Sequence, residues 1–431
     1  MTGETAPYDL LILEPAARGH GREWMLHLAT HAIRQHPDLR LAFAAAAPVA
    51  ERLNRDLAFH PIDAPRVVAL SDQEAALCTH RNLAISGFAR WLTMRHYLRR
   101  LDAREGLFLE CDHLSLPLAL GLPMGRGRSV SGVLFRPSVH YGTAIRPRWT
   151  ERLRELRKNF LYRLMLRHPA VRQIHSLDDA FPAYARARYG GGAKVTALPD
   201  PVFPSEQPTV EDGALAAKAP KDRMLFVLFG VLAERKGVLA LLRALSRFDA
   251  ETSARAAIVI AGEIDPAIRD AVHGGIEVLN LDPTGPWVHL EERHLRAGEI
   301  TALVDRSSVV LAPYQRFVGS SGVLMWAAGR GRPVITQDYG LLGRLVREHA
   351  LGLAVDTTDP RALADAIAGV ARQGATGLAA PMGMARFAAE RRPEAFAAAI
   401  LGPLALTPEL AKQSQELKAR GHRPFPGAVT D

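Results

Sequence analysis

The chain has 431 residues, of which 48% are apolar, and a formal net charge of +9 at pH 7. A chain of this length is too long to fold around one hydrophobic core of ordinary size, so we expect two domains. No run of about 18 uncharged apolar residues and no signal-peptide pattern occur, which argues against the membrane-spanning and secreted classes. Cys78 and Cys111 are too few for a disulfide framework and lack metal-ligand spacing, so we expect two buried thiols. A cytoplasmic enzyme or binding protein is therefore the expectation.

The basic residues are unevenly distributed. Residues 1–200 contain 28 Lys and Arg against 19 Asp and Glu, whereas residues 201–431 contain 26 of each kind. The excess in the first half indicates an anionic partner there, either a membrane surface or an acidic acceptor. A basic solvated surface without a partner is the alternative.

The first half alternates short apolar runs with helical segments. The apolar run Tyr8–Glu14 predicts a strand. A glycine-containing loop and then an amphipathic helix (22–35) come after it, as in the opening unit of a doubly wound fold. The carboxyl ends of parallel strands meet at one edge of the sheet, which we call the rim. We therefore expect the polar and titratable side chains that follow the strands to lie close together there. The further predicted strands are Leu39–Ala46, Arg66–Leu70, Gly106–Glu110, Ser129–Phe135, Val171–Ser176 and Val195–Leu198, and Glu74–Leu101 is predicted as a helix with a break or bend at Gly87.

An amphipathic, strongly basic helix is predicted at Arg146–Arg167. Its apolar residues recur every three or four positions, and it contains eight basic residues against two acidic ones. This pattern is typical of an interfacial helix that binds anionic lipid head groups. It is equally typical of a domain helix with a basic solvent face.

The second half repeats the alternation after a proline-rich segment, Pro199–Pro204. The organisation predicted is a first domain (1–200), a linker (201–222), a second domain (223–383), C-terminal helices (384–411) that cross back to the first domain, and a loose tail (412–431). The second-domain elements predicted before position 309 are strands Met224–Phe229, Ala256–Ala261 and Val288–Leu290 and helices Gly237–Arg247, Pro266–Val272 and Ala297–Arg306.

A glycine and serine turn, Gly319–Gly322, which we call the elbow, lies in the stretch VVLAPYQRFVGSSGVLMWAAGRGRPVITQDYG, residues 309–340. We predict a buried strand before it, at Val309–Ala312, and a helix after it, from Val323. Such an elbow leaves the first helical amides unpaired, and together with the macrodipole they favour a bound phosphate. The alternative is that Ser320 and Ser321 are simply N-caps in a tight turn.

The second half resembles the nucleotide-sugar domain of GT-B glycosyltransferases, and among them family 4. The resemblance is in the strings LFGVLAERKGVLALLRAL, SSVVLAPYQRFVGSSGVLMWAAGRGRPVITQDYG and LGLAVDTTDPRALADAI, within about residues 195–375. It implies an α/β fold of two facing doubly wound (Rossmann-like) domains, with the acceptor in the first and the donor in the second. It further implies a hexosyltransferase-like enzyme that transfers a sugar from a nucleotide sugar with retention and without a metal. The acceptor expected is a lipid-linked, polysaccharide-precursor or small-molecule hydroxyl.

A departing nucleoside diphosphate needs cations and backbone amides where its charge grows. Lys236 matches the phosphate-binding lysine of the family, Arg235 is beside it, and a surface lysine in a turn is the alternative for Lys236. The predicted diphosphate-binding residues are Gly230, Arg235, Lys236, Arg316, Gly319, Ser320, Ser321 and Gly322.

The sequence departs from the family pattern at four positions. The arginine that usually follows the first glycine is Val231, so one phosphate contact is either missing or supplied by Arg235. The two glutamates around the elbow are Val318 and Trp326, and a third acidic position is Arg344. Sugar and ribose recognition must therefore use other groups. The residues predicted for the base and ribose are Glu291, Glu292 and His294. A degenerate member that binds without catalysis is the alternative.

In the first domain, His20 in the ARGHG loop and the pair Asp112 and His113 are predicted as catalytic or acceptor-contacting groups. Each of them has an ordinary structural alternative as a hydrogen-bonded loop residue. The predicted acceptor-side residues are Glu14, Gly19, Gly21 and His140. We expect no cofactor, no metal and no nucleic-acid partner. A location peripheral to the inner face of the membrane is the alternative to a freely cytoplasmic one. The competing functions are a sugar-nucleotide epimerase of the same fold and a non-catalytic membrane or complex partner.

Overall fold

The computed structural model describes residues 7–17, 19, 21–58, 64–141, 149–203 and 207–405, and the side chains of 149–152 are outside this description. Two separate parallel sheets organise the chain. The first has seven strands in the order β3-β2-β1-β4-β5-β6-β7. Its strands are β1 (Tyr8–Glu14), β2 (Leu41–Ala46), β3 (Arg66–Leu70), β4 (Ala103–Phe108), β5 (Ser129–Leu134), β6 (Val171–Ser176) and β7 (Val195–Ala197).

Helices cover both faces of this sheet, which is why a central strand such as β2 is buried along its whole length. Seven helices belong to this half of the described chain. They are α1 (Gly21–Gln35), α2 (Ala47–Leu57), α3 (Asp72–Cys78), α4 (Leu83–Arg100), α5 (Ser115–Ala119), α6 (Trp149–Arg167) and α7 (Phe181–Arg188). One core cluster contains residues of α1 and α2, and another contains residues of α4, α6 and α7.

The second sheet has six parallel strands in the order β10-β9-β8-β11-β12-β13. Its strands are β8 (Met224–Phe229), β9 (Ala256–Ala261), β10 (Trp287–Glu291), β11 (Val309–Ala312), β12 (Val334–Gln337) and β13 (Gly352–Val355). The helices of this half are α8 (Ala214–Ala217), α9 (Val238–Leu245), α10 (Ala250–Arg255), α11 (Arg269–Leu281), α12 (Ala297–Arg306), α13 (Gly322–Gly329), α14 (Gly340–Glu348), α15 (Pro360–Gln373) and α16 (Pro381–Glu390).

After α16 the chain returns to the first domain as a helix over residues 393–405. Phe396, Ile400 and Leu401 belong to the same buried cluster as α1, and the ring of Phe396 lies 4.7 Å from that of Trp24. The outgoing and returning segments lie side by side, because the backbone N–H of Val202 donates to the carbonyl of Arg391 (2.7 Å).

The predicted fold class, an α/β protein with two doubly wound domains, is confirmed. The long helix predicted at Glu74–Leu101 is wrong, because α3 and α4 are separate helices with their own caps: Ser71 forms a capping box at α3, and Asn82 caps α4. Gly87 therefore lies inside α4 and not at a break.

Other elements also differ from the prediction. Strand β4 begins and ends earlier than Gly106–Glu110, and α11 begins after Pro266 and continues through its two glycines. Strand β13 was not predicted. Among the described residues, no helix combines the length and the apolar character that crossing a membrane requires.

Candidate functional site

The turn after β8 places Lys236 over the carboxyl end of the strand. Gly230 has φ +101°, and a Cβ added there would lie 3.4 Å from Lys236 Nζ. Gly237, at φ +82°, approaches the carbonyl of Pro313 so closely that an added Cβ would lie 1.8 Å from the oxygen. Glycine is therefore required at Gly237, both for its backbone conformation and for the contact that joins the β8 turn to the end of β11.

Lys236 is a buried cation, 6% exposed, whose described partners are neutral. Its Nζ donates to Tyr314 Oη (2.9 Å), and the Tyr314 hydroxyl lies 2.5 Å from Ser321 Oγ. Within the described part of the chain, no carboxylate forms an ion pair with Lys236. A buried charge without a counter-ion is costly, so this arrangement favours an anionic ligand.

The positive charge of Lys236 affects the pKa of the Tyr314 hydroxyl. Burial alone would raise the pKa of Tyr314, but the Lys236 ammonium and the hydrogen bonds with Lys236 and Ser321 outweigh it and hold the pKa below its ordinary value. Tyr314 thus links the lysine to the elbow that begins α13.

The elbow has the geometry expected of a helix start. Ser321 is the N-cap of α13, and its Oγ accepts from the backbone N–H of Val323 (3.3 Å). Ser320 has a different partner, since its hydroxyl donates to the carboxylate of Asp200 in the proline-rich segment Pro199–Pro204 (2.5 Å). The structure therefore brings Lys236, Ser321 and Gly322 together, while Ser320 is hydrogen-bonded to that segment.

Two arginines lie against the ring of Phe317 beside this elbow. The guanidinium carbon of Arg235 lies 5.3 Å from the ring centroid, and that of Arg136, from the first domain, lies 5.5 Å from it. Arg316 has φ +50°, an exposed side chain, and a backbone N–H that donates to Tyr339 Oη (2.7 Å). The surface next to α13 is accordingly cationic, with side chains from both domains.

The family positions that lack glutamate are apolar here. Val318 packs against Gly340, where an added Cβ would lie 2.8 Å from its Cα, and Trp326 is half-buried against the second-domain core. Neither position supplies a carboxylate to the elbow.

At the facing rim, the end of β1 carries a buried carboxyl group. Glu14 Oε1 accepts from the backbone N–H of Ala16 (2.9 Å), and its side chain packs so closely on Gly21 that an added Cβ would lie 2.4 Å from Oε2. Burial raises the pKa of Glu14 to about 7, although the Ala16 hydrogen bond and the charge of Arg90 act in the opposite direction. Gly19 has φ +106°. His20 lies outside the described residues.

A second carboxylate follows the adjacent strand, β4. Glu110 pairs with the buried Arg90 (3.3 Å), and His113 Nε2 lies 3.6 Å from its Oε1. Burial alone would raise the pKa of Glu110, but the hydrogen bond to His113 and the charge of Arg90 hold it at about 2. The sequence prediction named His113 and missed Glu110 and Arg90, although Glu110 was predicted to end that strand.

The carboxylate of Asp112, which was predicted to be catalytic, is hydrogen-bonded to backbone N–H groups. Its two oxygens accept from the backbone N–H groups of Phe135 (2.8 Å) and Arg136 (3.0 Å), which fixes the loop after β5. A positioning role fits these contacts better than the predicted catalytic one.

His140 belongs to a buried network and not to an open rim. Its Nε2 lies 3.0 Å from Asp178 Oδ2, which also accepts from the Tyr141 hydroxyl (2.5 Å). Arg344 of the second domain reaches the same Asp178 (3.3 Å) and also Asp179. The position of the missing third acidic residue is thus used for a contact between the domains.

The residues predicted for base and ribose lie at the edge strand β10 and are engaged with basic groups. Glu291 is paired with Lys218 (2.9 Å) and with Arg293, and the Lys218 hydrogen bond is the largest cause that lowers its pKa to about 2. Glu292 is paired with Arg269 (2.7 Å) and with His273, while His294 is exposed. Glu291 and Glu292 would have to release these partners to hold ribose hydroxyls.

Besides Glu110 and Arg90, the sequence prediction missed Tyr314 in the second domain and Arg136 in the first. Both follow the carboxyl end of a strand, β11 and β5 respectively, and that position was the available signal. In the residues described, no group of three His, Cys, Asp or Glu side chains is arranged to hold a metal ion.

Comparison with known proteins assigns the domain that carries Lys236 and the elbow. Residues 223–373 match the family model described as Glycosyl transferases group 1. This segment is a glycosyl transferases group 1 domain. The prediction of a glycosyltransferase with GT-B architecture is confirmed, whereas family 4 stays a prediction. A search of curated proteins found no match.

Solved structures of known proteins resemble this chain over nearly its whole length. Sucrose-phosphate synthase from Thermosynechococcus elongatus superimposes with a TM-score of 0.65 at 16% identity, covering 96% of this chain and 100% of that one. The Anabaena protein HepE, in complex with UDP, gives 0.64 at 14% identity, with 92% and 99% covered. A trehalose-phosphate synthase (UDP-forming) from Burkholderia vietnamiensis gives 0.62 at 15%, with 93% and 99% covered. At these identities the likeness establishes the shared fold.

Proposed function

We propose that the chain transfers a sugar from a nucleoside diphosphate sugar to an acceptor hydroxyl. The observation that carries the proposal is the buried ammonium of Lys236, held by the neutral Tyr314 hydroxyl against the elbow of a glycosyl transferases group 1 domain. A diphosphate bound there would supply the missing counter-charge. Structures of the similar Anabaena protein contain UDP and UDP-glucose, which supports a nucleotide-sugar donor for this chain.

In this proposal the second domain stabilises the leaving group. As the bond from sugar to phosphate breaks, negative charge grows on the diphosphate, and fixed cations and amides stabilise it without reorganising. Lys236 and Arg235 supply the cations, and the first amides of α13 supply oriented dipoles. Retention of configuration is part of the proposal, in the form of attack from the same face that the phosphate leaves.

The first domain would supply the acceptor side. Glu110 is ionised and Glu14 is mostly protonated below neutral pH, so the rim offers one hydrogen-bond acceptor and one carboxyl that exchanges its proton near pH 7. Carboxyl groups whose environments separate their pKa values are suited to acid and base roles. We propose that an acceptor hydroxyl binds between these groups and the elbow.

The test is nucleotide binding and sugar transfer by Lys236→Ala. We first measure thermal shifts with UDP, GDP and ADP and with their common sugar derivatives, since a ligand at about 100 times its Kd adds roughly 2.7 kcal/mol to the free energy of unfolding. Lys236→Ala should lose the shift and the transfer activity, while Lys221→Ala, an exposed linker lysine, should keep both.

Unchanged binding and turnover in Lys236→Ala would reject the site. Product analysis separates the alternatives: an altered free sugar nucleotide formed without an acceptor indicates an epimerase, and binding without any product indicates a non-catalytic protein.

A specific observation also favours an anionic membrane surface as a partner. On α6 the side chains of Leu153, Leu156 and Phe160 are 56%, 66% and 60% exposed, and Arg154 and Arg157 are exposed between them. Exposed apolar side chains beside arginines are what an interfacial helix presents to anionic head groups. We propose that α6 binds such a surface, which fits a lipid-linked acceptor in polysaccharide biosynthesis.

Sedimentation with vesicles tests this part of the proposal. The double variant Leu156→Ser/Phe160→Ser should lose binding to vesicles that contain phosphatidylglycerol, and Leu281→Ser, which changes an exposed leucine of the second domain, should not. Equal sedimentation of all three proteins would exclude α6 as the contact.

A further inference from the structure

Arg136 stands at the point where the two domains touch beside the elbow. It follows β5 of the first domain, and Gly319 of the second domain approaches it so closely that an added Cβ would lie 2.9 Å from Arg136 Cγ and 3.2 Å from the Phe135 carbonyl oxygen. The first domain thus delivers a guanidinium to the loop that starts α13.

The backbone that carries Arg136 is fixed from several directions. Asp112 accepts from the N–H groups of Phe135 and Arg136, and the Arg136 carbonyl accepts from Lys158 Nζ (2.5 Å) and from the N–H of Ser138 (2.8 Å). Lys158 and Asp112 therefore both help to fix the position of Arg136. Such support is typical of a side chain whose placement matters for binding.

The guanidinium itself faces another cation. Arg136 and Arg235 both lie against the ring of Phe317, which stacks on Tyr314 with 4.8 Å between the ring centroids. Burial lowers the pKa of Arg235, and the charge of Arg136 lowers it further. Glu110 is close enough for Arg136 to contribute to its low pKa, but its ion pairs are with Arg90 and His113.

Within the described chain neither Arg136 nor Arg235 is paired with a carboxylate. Two like charges held at one ring repel each other, and an anion between them would turn that repulsion into two attractions. The buried ammonium of Lys236 lies 4.9 Å from the centroid of the Tyr314 ring, on which Phe317 stacks, so the three cations contact one stacked pair of rings.

We propose that Arg136 binds the diphosphate of the donor together with Arg235 and Lys236, as the first domain's contribution to the phosphate site. This inference rests on the proposed function. Arg136, from the opposite domain, would then replace the arginine that the family has at the position of Val231.

The experiment measures the Kd of UDP and UMP, or of the GDP or ADP pair if that base binds, for the full chain and three variants. Arg136→Gln should weaken the diphosphate at least about tenfold and the monophosphate less, because a charge-assisted hydrogen bond is lost. Arg136→Lys should retain part of the affinity. Arg52→Gln removes one exposed positive charge from α2, away from the cleft, and should bind as the wild type does.

Thermal unfolding of each variant without nucleotide serves as the folding check, and the exposed side chain of Arg136 predicts unchanged values. If Lys236→Ala loses diphosphate binding while Arg136→Gln retains it fully, the role of Arg136 is overturned and the proposed function stands. If the wild-type protein binds none of the three nucleoside diphosphates, both are overturned.

Discussion

Glu14 and Glu110 follow adjacent strands of the first sheet but differ in protonation. Glu14 is buried against a glycine and accepts from the backbone N–H of Ala16, and burial dominates its pKa. Glu110 has Arg90 and His113, and their contributions outweigh burial. The same side-chain type therefore has two states at one rim, as a consequence of the partners that the fold supplies.

The protonation of Glu14 should make stability depend on pH. Its pKa is about 7 in the folded chain and 4.5 when unperturbed, so between these values the folded state holds more protons than the unfolded state. The contribution of Glu14 to the free energy of unfolding should therefore be largest below pH 4.5. It should decrease as the pH rises through 7, by at most about 3 kcal/mol.

Urea unfolding between pH 5 and pH 8 measures the effect. Glu14→Gln should show a smaller decrease over this range than the wild type, whereas Glu277→Gln, an exposed glutamate of α11, should follow the wild type. Parallel curves for the wild type and Glu14→Gln would contradict the assignment of a proton to Glu14.

The sequence located the rim residues better than it located their roles. Glu14, Asp112 and His113 follow predicted strands, and the rule for parallel sheets placed them at the crevice. It could not show that Asp112 accepts from backbone N–H groups of the loop after β5 or that His140 is buried beside Asp178, because those partners are distant in sequence.

At the scale of elements, α4 and α15 show how the same residue type has opposite consequences in two helices. Gly87 lies inside α4, where an added Cβ would be 2.3 Å from the carbonyl oxygen of His113. Gly369 lies inside α15, and an added Cβ would have no neighbour within 4 Å. The first glycine permits a close contact with the α5 region, while the second has no packing function.

Alanine substitutions should therefore change stability in opposite directions. Gly369→Ala should raise the free energy of unfolding by about 0.5–1 kcal/mol, since alanine restricts the unfolded chain and favours helix. Gly87→Ala should lower it by about 1–3 kcal/mol, because a backbone carbonyl cannot move aside cheaply. Chemical denaturation of both variants decides the matter, and a stabilised Gly87→Ala would show that α4 does not contact His113 as described.

Most elements could be predicted because the inner strands of both sheets are short apolar runs, buried on two faces. Prediction failed where local caps decide, as with Ser71 and Asn82 around the break between α3 and α4, since the apolar periodicity runs on through that break. It also missed β13, a four-residue edge strand whose residues are all only partly buried.

At the scale of the whole molecule, a buried carboxylate joins the two domains. Asp178 has a side chain 1% exposed and receives Arg344 from α14 as well as His140 and Tyr141 from its own domain. Although burial acts in the other direction, the hydrogen bond and charge of His140 lower the pKa of Asp178, so the group is an ionised centre of the interface.

A double-mutant cycle of Arg344→Gln and Asp178→Asn should give a coupling free energy of about 1–3 kcal/mol, since a partly buried pair is broken in each single variant. The exposed pair Arg386 and Glu390 on α16 is the matched control and should couple far more weakly. Equal coupling in the two cycles would mean that the contact between the domains adds no more to stability than an exposed ion pair does. No local pattern could have predicted this pair, because 166 positions separate Arg344 from Asp178.

The returning helix at 393–405 has a consequence for synthesis on the ribosome. Its Phe396 and Leu401 complete the core around Trp24, yet the whole second domain is translated between the two parts of that core. At roughly 5–20 residues per second, the first domain would wait on the order of ten to forty seconds with this apolar surface uncovered. The second domain can fold during that interval, whereas the first domain, although translated earlier, becomes complete last.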